Sequence, residues 1–257
     1  MGLELAGKRA IVTGGGTGIG YAIAEELARE GVRVAIAGRR GDVLGQAVAA
    51  IRQSTGADAL PVPADTGDDD SVRALVDTVR AAFGGVDILV NNAAEQPAQQ
   101  GPSLHDADDA WFQRQLNVKV IGYLRTIRAV APLLIENGWG RIINISGTGS
   151  RSTVSVIGSV RNASVTALTK NVADELGPHG VNVTVVHPGP TRTERYAELA
   201  SARTADGTLP PANTVIGRVI EPHEVAWVVA FLASPRSVAI TGDGVFAGGG
   251  VPGSIYY

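Results

Sequence analysis

Thr13 to Gly20 read TGGGTGIG and stand between the apolar run Ala10-Ile11-Val12 and an amphipathic stretch. A strand that ends in a glycine turn and opens a helix aims unpaired backbone N–H groups at whatever lies above the turn. Such a helix N-terminus favours phosphate. The spacing is Gly14-x-x-x-Gly18-x-Gly20 rather than G-x-G-x-x-G. It meets the same needs: a tight turn, close backbone approach to a pyrophosphate, and close helix–strand packing. Gly14, Gly16, Thr17, Gly18, Ile19 and Gly20 are therefore candidate dinucleotide-binding residues. The next strand candidate ends Ala37-Gly38-Arg39-Arg40, with no carboxylate to hold a ribose 2′-hydroxyl. Arg39, nearest the strand end, suits a 2′-phosphate, so NADP is expected, with NAD as the alternative. The competing view of these arginines is a pair of surface cations opening a helix.

The elements around the turn must hold it open. A chain of 257 residues with 44% hydrophobic content has the material for one doubly wound α/β domain with a large core. Short β-branched runs alternate with longer amphipathic stretches. Strands are expected at Arg9–Thr13, Arg33–Ala37, Ala59–Pro63, Val86–Val90, Arg141–Ile145, Asn182–His187 and Val245–Ala247. Helices are expected near Gly18–Glu30, Asp42–Gln53, Asp69–Phe83, Asp108–Glu136, Gly158–Leu176 and Pro222–Ala233. This alternation implies right-handed crossovers and a parallel seven-stranded sheet with helices on both faces, one Rossmann domain over residues 1–257. Ligands in such sheets bind at the carboxyl ends of the strands, where strand order reverses. Residues 190–214 break the rhythm with a polar stretch long enough for a lid.

Composition narrows the function. The formal net charge of −3 offers nothing to attract nucleic acid or an anionic membrane. No stretch approaches the roughly twenty apolar residues of a membrane helix. The N-terminus carries no signal-like apolar core, so a cytoplasmic location is expected. There is no cysteine for disulfides or thiolate metal sites, and no metal is expected.

With later segments added, the whole chain resembles a short-chain dehydrogenase/reductase. TGGGTGIG resembles that family's cofactor fingerprint. Asp65 in Ala64-Asp65-Thr66 sits where the family holds the adenine ring. Asn91-Asn92-Ala93-Ala94 resembles its NNAG segment, with Ala94 for the usual glycine. Asn117 stands at the place of the active-site asparagine. Pro188-Gly189-Pro190-Thr191-Arg192-Thr193 resembles the segment along the nicotinamide, and Gly248–Gly250 the C-terminal glycine pair. The resemblance implies nicotinamide cofactor binding by Asp65, Thr66, Asn91, Ala93, Asn162, Pro188, Gly189, Thr191 and Thr193. It also implies a small-molecule substrate and assembly into tetramers or dimers through Asp108–Glu136 and Gly158–Leu176, with Val225–Leu232 and the C-terminal tail as a second contact.

One departure is large. The family's chemistry rests on Ser, Tyr and Lys, the last two as Tyr-x-x-x-Lys, and that pattern occurs nowhere in this chain. Registering the helix through Ala163–Thr169 puts Gly158 in the tyrosine place and Asn162 in the lysine place. Ser146 and Asn117 remain as the catalytic candidates, and Thr148 or Ser150 could take the serine place instead. A lost general acid forfeits about a hundredfold to ten-thousandfold in rate. Arg161 stays charged and could polarise a carbonyl or bind a carboxylate. His187, at a strand end, could do acid–base work or simply be structural. Tyr196 could line the lid, His105 lies in a polar loop, and Ser155 and Ser159 flank Gly158. The expected function is an NAD(P)-dependent oxidoreductase on a small carbonyl or alcohol. The alternatives are a lyase, dehydratase or isomerase on the same fold, or a cofactor-binding protein without turnover.

Overall fold

The strands form because β-branched, almost uninterrupted apolar runs can be buried on both faces of a parallel sheet. In the computed structural model, which describes residues 2–95, 108–153, 155–201 and 213–253, they are β1 (Arg9–Thr13), β2 (Arg33–Gly38), β3 (Leu60–Pro63), β4 (Ile88–Asn91), β5 (Gly140–Ile145), β6 (Val181–Pro188) and β7 (Gly244–Ala247). All neighbours pair in parallel, in the order β3-β2-β1-β4-β5-β6-β7. Strand order reverses between β1 and β4, so the β1 end carrying the glycine turn lies at the switch point.

The helices are α1 (Gly18–Arg29), α2 (Gly41–Thr55), α3 (Asp69–Phe83), α4 (Asp109–Leu116), α5 (Gly122–Asn137), α6 (Val156–Leu176), α7 (Glu194–Ser201) and α8 (Pro222–Ala233). Side chains alternate along each strand. Val12, Ile36 and Val90 pack with Ile23 and Leu27 of α1, Leu44 of α2 and Val229 of α8. Ile11, Leu89 and Ile142 face the other way, onto Leu75 of α3, Ile127 of α5 and Val172 of α6. The expected doubly wound sheet is therefore the observed one.

One expected helix is broken. The stretch Asp108–Glu136 divides into α4 and α5 around a π turn at Asn117–Ile121. A π turn adds a residue to the helical turn and rotates the rest of the helix, a device common at functional sites. The amphipathic pattern is too tolerant to show one extra residue. Gly122 comes directly after it and packs against Thr66, where a Cβ would lie 2.9 Å from the Thr66 carbonyl oxygen.

In the expected lid, α7 occupies 194–201, and residues 202–212 lie outside the described residues. The base of the segment is fastened by Arg192 N–H to the Ile220 carbonyl at 2.7 Å and Ile220 N–H to the Pro190 carbonyl at 3.0 Å. Among the described residues no helix is long and apolar enough to cross a membrane, and no group of acidic or imidazole side chains could hold a metal.

Candidate active site

The glycine turn has the expected geometry. Gly14 has φ +65°, a conformation that side chains disfavour. Asn92 Nδ2 donates to its carbonyl at 3.1 Å, and Thr13 Oγ1 accepts the Asn92 and Ala93 N–H groups at 2.9 and 3.1 Å. The ends of β1 and β4 are thus locked together. Gly20 allows α1 to sit directly on the turn, because a Cβ there would collide with the Gly14 carbonyl and the Asn92 amide.

The N-terminus of α1 is left open. Asp68, Asp108 and Ser155 cap α3, α4 and α6 with their side chains. Thr17, the N-cap of α1, makes no such bond, and the first turn holds no acidic residue. The orphan N–H groups remain available to an anion. Two cavities share Gly14, Thr17, Ala93 and Ala94 over this helix end. One, of about 280 Å³, runs past Gly16, Arg39, Arg40, Asp65, Thr66 and Val118. The other, of about 210 Å³, runs past Gly18, Ile19, Thr193, Glu194 and Arg195. A bent, two-armed ligand with its anionic centre over the turn fits this outline. Arg39 is mostly exposed and lies 3.4 Å from Glu95 Oε1. An exposed pair of this kind contributes at most about 1 kcal/mol and yields readily to a better anion.

Other expected ligands also bond within the chain. Asn91 is fully buried: its Nδ2 donates to Asn144 Oδ1 at 3.0 Å and its Oδ1 accepts from Thr126 Oγ1 at 2.6 Å. Asn144 Nδ2 continues the chain to Thr169 Oγ1 at 3.0 Å. Asn91 therefore ties α5, β4, β5 and α6 together below the site. Thr191 gives its hydroxyl to the Gly189 carbonyl. Pro188 ends β6, and Gly189 abuts Gly248, where a Cβ would lie 2.8 Å from Gly248 Cα. Those two glycines let the ends of β6 and β7 approach.

The two expected catalytic residues both bond within the chain. Asn117 Nδ2 donates to the Gly67 carbonyl at 3.2 Å, and its Oδ1 accepts from Arg125 at 2.9 Å. In the π turn it reaches toward the segment after β3. Ser146 Oγ donates to the Asn162 backbone carbonyl at 3.1 Å, stitching β5 to α6.

The residue that reaches Ser146 is Lys119, also in the π turn, which belongs to none of the sequence motifs. Its Nζ donates to the Ser146 carbonyl at 2.9 Å, and the side chain is buried. Burial, with the nearby Arg161 charge, brings its ammonium down to about 7. The signal in the sequence is slight: one lysine inside Val118-Lys119-Val120-Ile121, on a helix that packs on the sheet.

Arg161 spans from α6 to the Glu95 carbonyl (2.9 Å) and Gln115 Oε1 (2.6 Å), and its buried Nε has no partner among the described residues. Asn162 is buried with Oδ1 likewise unpartnered. His187 is fully buried, stacked on Phe246, with Nδ1 3.0 Å from Ser150 Oγ and 3.2 Å from the Gly147 carbonyl. Burial lowers it to about 4, so the imidazole is neutral at physiological pH. Tyr123 donates to the Ile145 carbonyl, and burial raises its phenol above the ordinary value. Gly158 is buried, and Ser155 Oγ accepts its N–H. Tyr196 N–H donates to Thr193 Oγ1 at the start of α7. His105, Tyr256 and Tyr257 lie outside the described residues.

Known proteins share this sequence pattern and fold. A family model described as enoyl-(acyl carrier protein) reductase matches residues 14–252. An uncharacterized oxidoreductase, YxbG of Bacillus subtilis strain 168, is 36% identical, covering 96% of this chain and 92% of the relative. The fold of L-sorbose reductase from Gluconobacter frateurii, solved with NADPH and L-sorbose, superposes with a TM-score of 0.91 at 28% identity, covering 99% of this chain and all of the other. A short chain dehydrogenase from Burkholderia cenocepacia J2315, solved with NADP, gives 0.84 at 36% identity over 96% and 98% of the two chains. With sequence and fold matched over nearly its whole length, the chain belongs to the short-chain dehydrogenase/reductase family of nicotinamide-dependent oxidoreductases.

Proposed function

We propose that the protein is an NADP-linked oxidoreductase of short-chain dehydrogenase type, acting on a small carbonyl or alcohol without the family's tyrosine. The observation that carries this is the two-armed groove over the uncapped end of α1, with Arg39 and Arg40 and no carboxylate at the end of β2. The amides of the α1 end and of the glycine turn would hold the pyrophosphate. Asp65 and Thr66 would face the adenine, and Arg39 the 2′-phosphate. Thr193, which lines the second arm, would bear on the nicotinamide half. Bound there, the cofactor supplies hydride exchange with a substrate carbon.

The proton side of the reaction is unusual. Gly158 and Asn162, read into the places of tyrosine and lysine, supply neither a phenol nor a cation. Tyr123 donates to the Ile145 carbonyl and Ser146 Oγ to the Asn162 carbonyl of α6.

Replacing both Arg39 and Arg40 by Ser is expected to weaken NADPH binding about 10- to 100-fold. That corresponds to about one charge-assisted hydrogen bond at roughly 1.5–3 kcal/mol. NADH binding should change little. Fluorescence titration of both nucleotides against wild type and variant checks this. An equal effect on both would remove the assignment of NADP. Consumption of NADPH with a panel of carbonyl compounds then tests the redox reading itself. Conversion of substrate with no change in nicotinamide absorbance would instead favour a lyase or isomerase.

Self-association belongs to the same proposal. Most of Val225–Leu232 is buried within the chain, so α8 presents Trp227 and Phe231 one turn apart, 54% and 40% exposed. A second copy of the chain would cover that face. Sedimentation velocity should show a dimer or tetramer, and Trp227→Glu should shift it toward monomer. A wild-type monomer at micromolar concentration would refute it.

A further inference from the structure

Three side chains converge on the Ser146–Gly147 backbone at the carboxyl end of β5. Lys119 arrives from the π turn, with Nζ 2.9 Å from the Ser146 carbonyl. Asn162 arrives from α6, with Nδ2 3.1 Å from where a Gly147 Cβ would be. His187 arrives from β6, with Nδ1 3.2 Å from the Gly147 carbonyl. The titratable and charged groups around Lys119 are Arg161 on α6, His187 on β6 and Tyr123 on α5; Arg151 acts on His187. No carboxylate pairs with Lys119 or Arg161 among the described residues.

Among these groups it is Lys119 whose proton burial and the Arg161 charge loosen toward neutrality. An arginine stays charged. His187 is held neutral, and the Tyr123 hydroxyl is spent on the Ile145 carbonyl. The hydrogen bonding agrees. An ammonium has three donors, yet the described residues give Nζ one acceptor. Nζ thus keeps donors for an oxygen from outside the chain.

We propose that Lys119 Nζ is the group that exchanges the proton with the substrate oxygen, replacing the absent tyrosine from a different helix. This rests on the oxidoreductase reading above. In the reducing direction Lys119 gives one proton to the carbonyl oxygen as the carbonyl carbon accepts a hydride, with its electron pair, from reduced nicotinamide. The Nζ–H bond, the C=O π bond and the C–H bond of the reduced nicotinamide that gives the hydride break, and O–H and substrate C–H bonds form. Lys119 is left as a neutral amine that recovers its proton from water. Arg161 keeps that amine from holding its proton too strongly and adds attraction for the developing alkoxide.

The chain has three lysines, Lys8, Lys119 and Lys170. Protein labelled with [ε-13C]lysine therefore gives three carbon signals, assigned with Lys8→Arg and Lys170→Arg. The Lys119 signal should titrate near pH 7, move upward in midpoint in Arg161→Gln, and shift when NADP⁺ is added while the other two stay still. Lys119→Met should lower NADPH-dependent carbonyl reduction about 10²- to 10⁴-fold. Lys119→Arg should not rescue it, since a guanidinium keeps its proton. Rescue by arginine would reduce Lys119 to a structural cation and overturn the proposal. So would an unmoved Lys119 signal in protein shown to bind NADP⁺, or a midpoint at the ordinary lysine value. No uptake of NADP⁺ at all would remove the oxidoreductase reading, and the proposal with it.

Discussion

Gly20→Ala is expected to weaken NADPH binding by about 10- to 100-fold in a protein that still folds. The added methyl would collide with the Gly14 carbonyl and with the Asn92 amide that pins it. Neither partner is a flexible tip: one is backbone, and the other is held by its bond to the turn. The helix end must rise from the turn, and strain of this kind costs about 1–3 kcal/mol. Because the amides of α1 and of the turn have to meet one pyrophosphate together, most of that strain falls on binding. Gly45→Ala, on α2 with nothing within 4 Å of its Cβ, is the control and should leave affinity unchanged. Calorimetric titration of both variants decides. Unchanged affinity in Gly20→Ala would show that the turn does not carry the ligand.

Asn144→Ala is expected to cost about 3 kcal/mol of stability. The side chain is fully buried, accepts from Asn91 and donates to Thr169, joining β4, β5 and α6 in one polar chain that begins at Thr126 on α5. Removing it strands the Asn91 amide, at about 1–3 kcal/mol for a buried unsatisfied group, and leaves a small cavity besides. Asn144→Asp would keep the size and replace the donor by a charge that burial disfavours, so it should be no milder. At about 2–4 °C per kcal/mol for a chain of this length, the melting temperature falls by roughly 6–12 °C. A fall under about 2 °C would mean that the chain of bonds carries little stability.

The fold was legible because its signals are repetitive. Strands such as Arg9–Thr13 are apolar on both faces, and helices such as Asp69–Phe83 announce their start with a cap, so element type and order follow from local pattern. The glycine turn was legible for a related reason: Gly14 and Gly20 are demanded by backbone geometry, which glycine alone satisfies. The reacting end was less so. Asn117 and Lys119 sit two residues apart, and a single extra residue in the π turn sends the first toward Gly67 and the second to Ser146. Helical periodicity does not register that rotation. Likewise Asn91 and Ser146 look like ligand or catalytic groups by type and place. Their side chains also bond to α5, β5 and α6, partners far away in sequence. Side-chain commitment of this sort exists only in the folded packing.

Direct binding of nicotinamide dinucleotides to the intact protein is the most immediate trial of all this. Calorimetric titration with NADPH and with NADH should show one site per chain, with the phosphorylated form held more tightly. Folded protein that takes up heat from neither would contradict it.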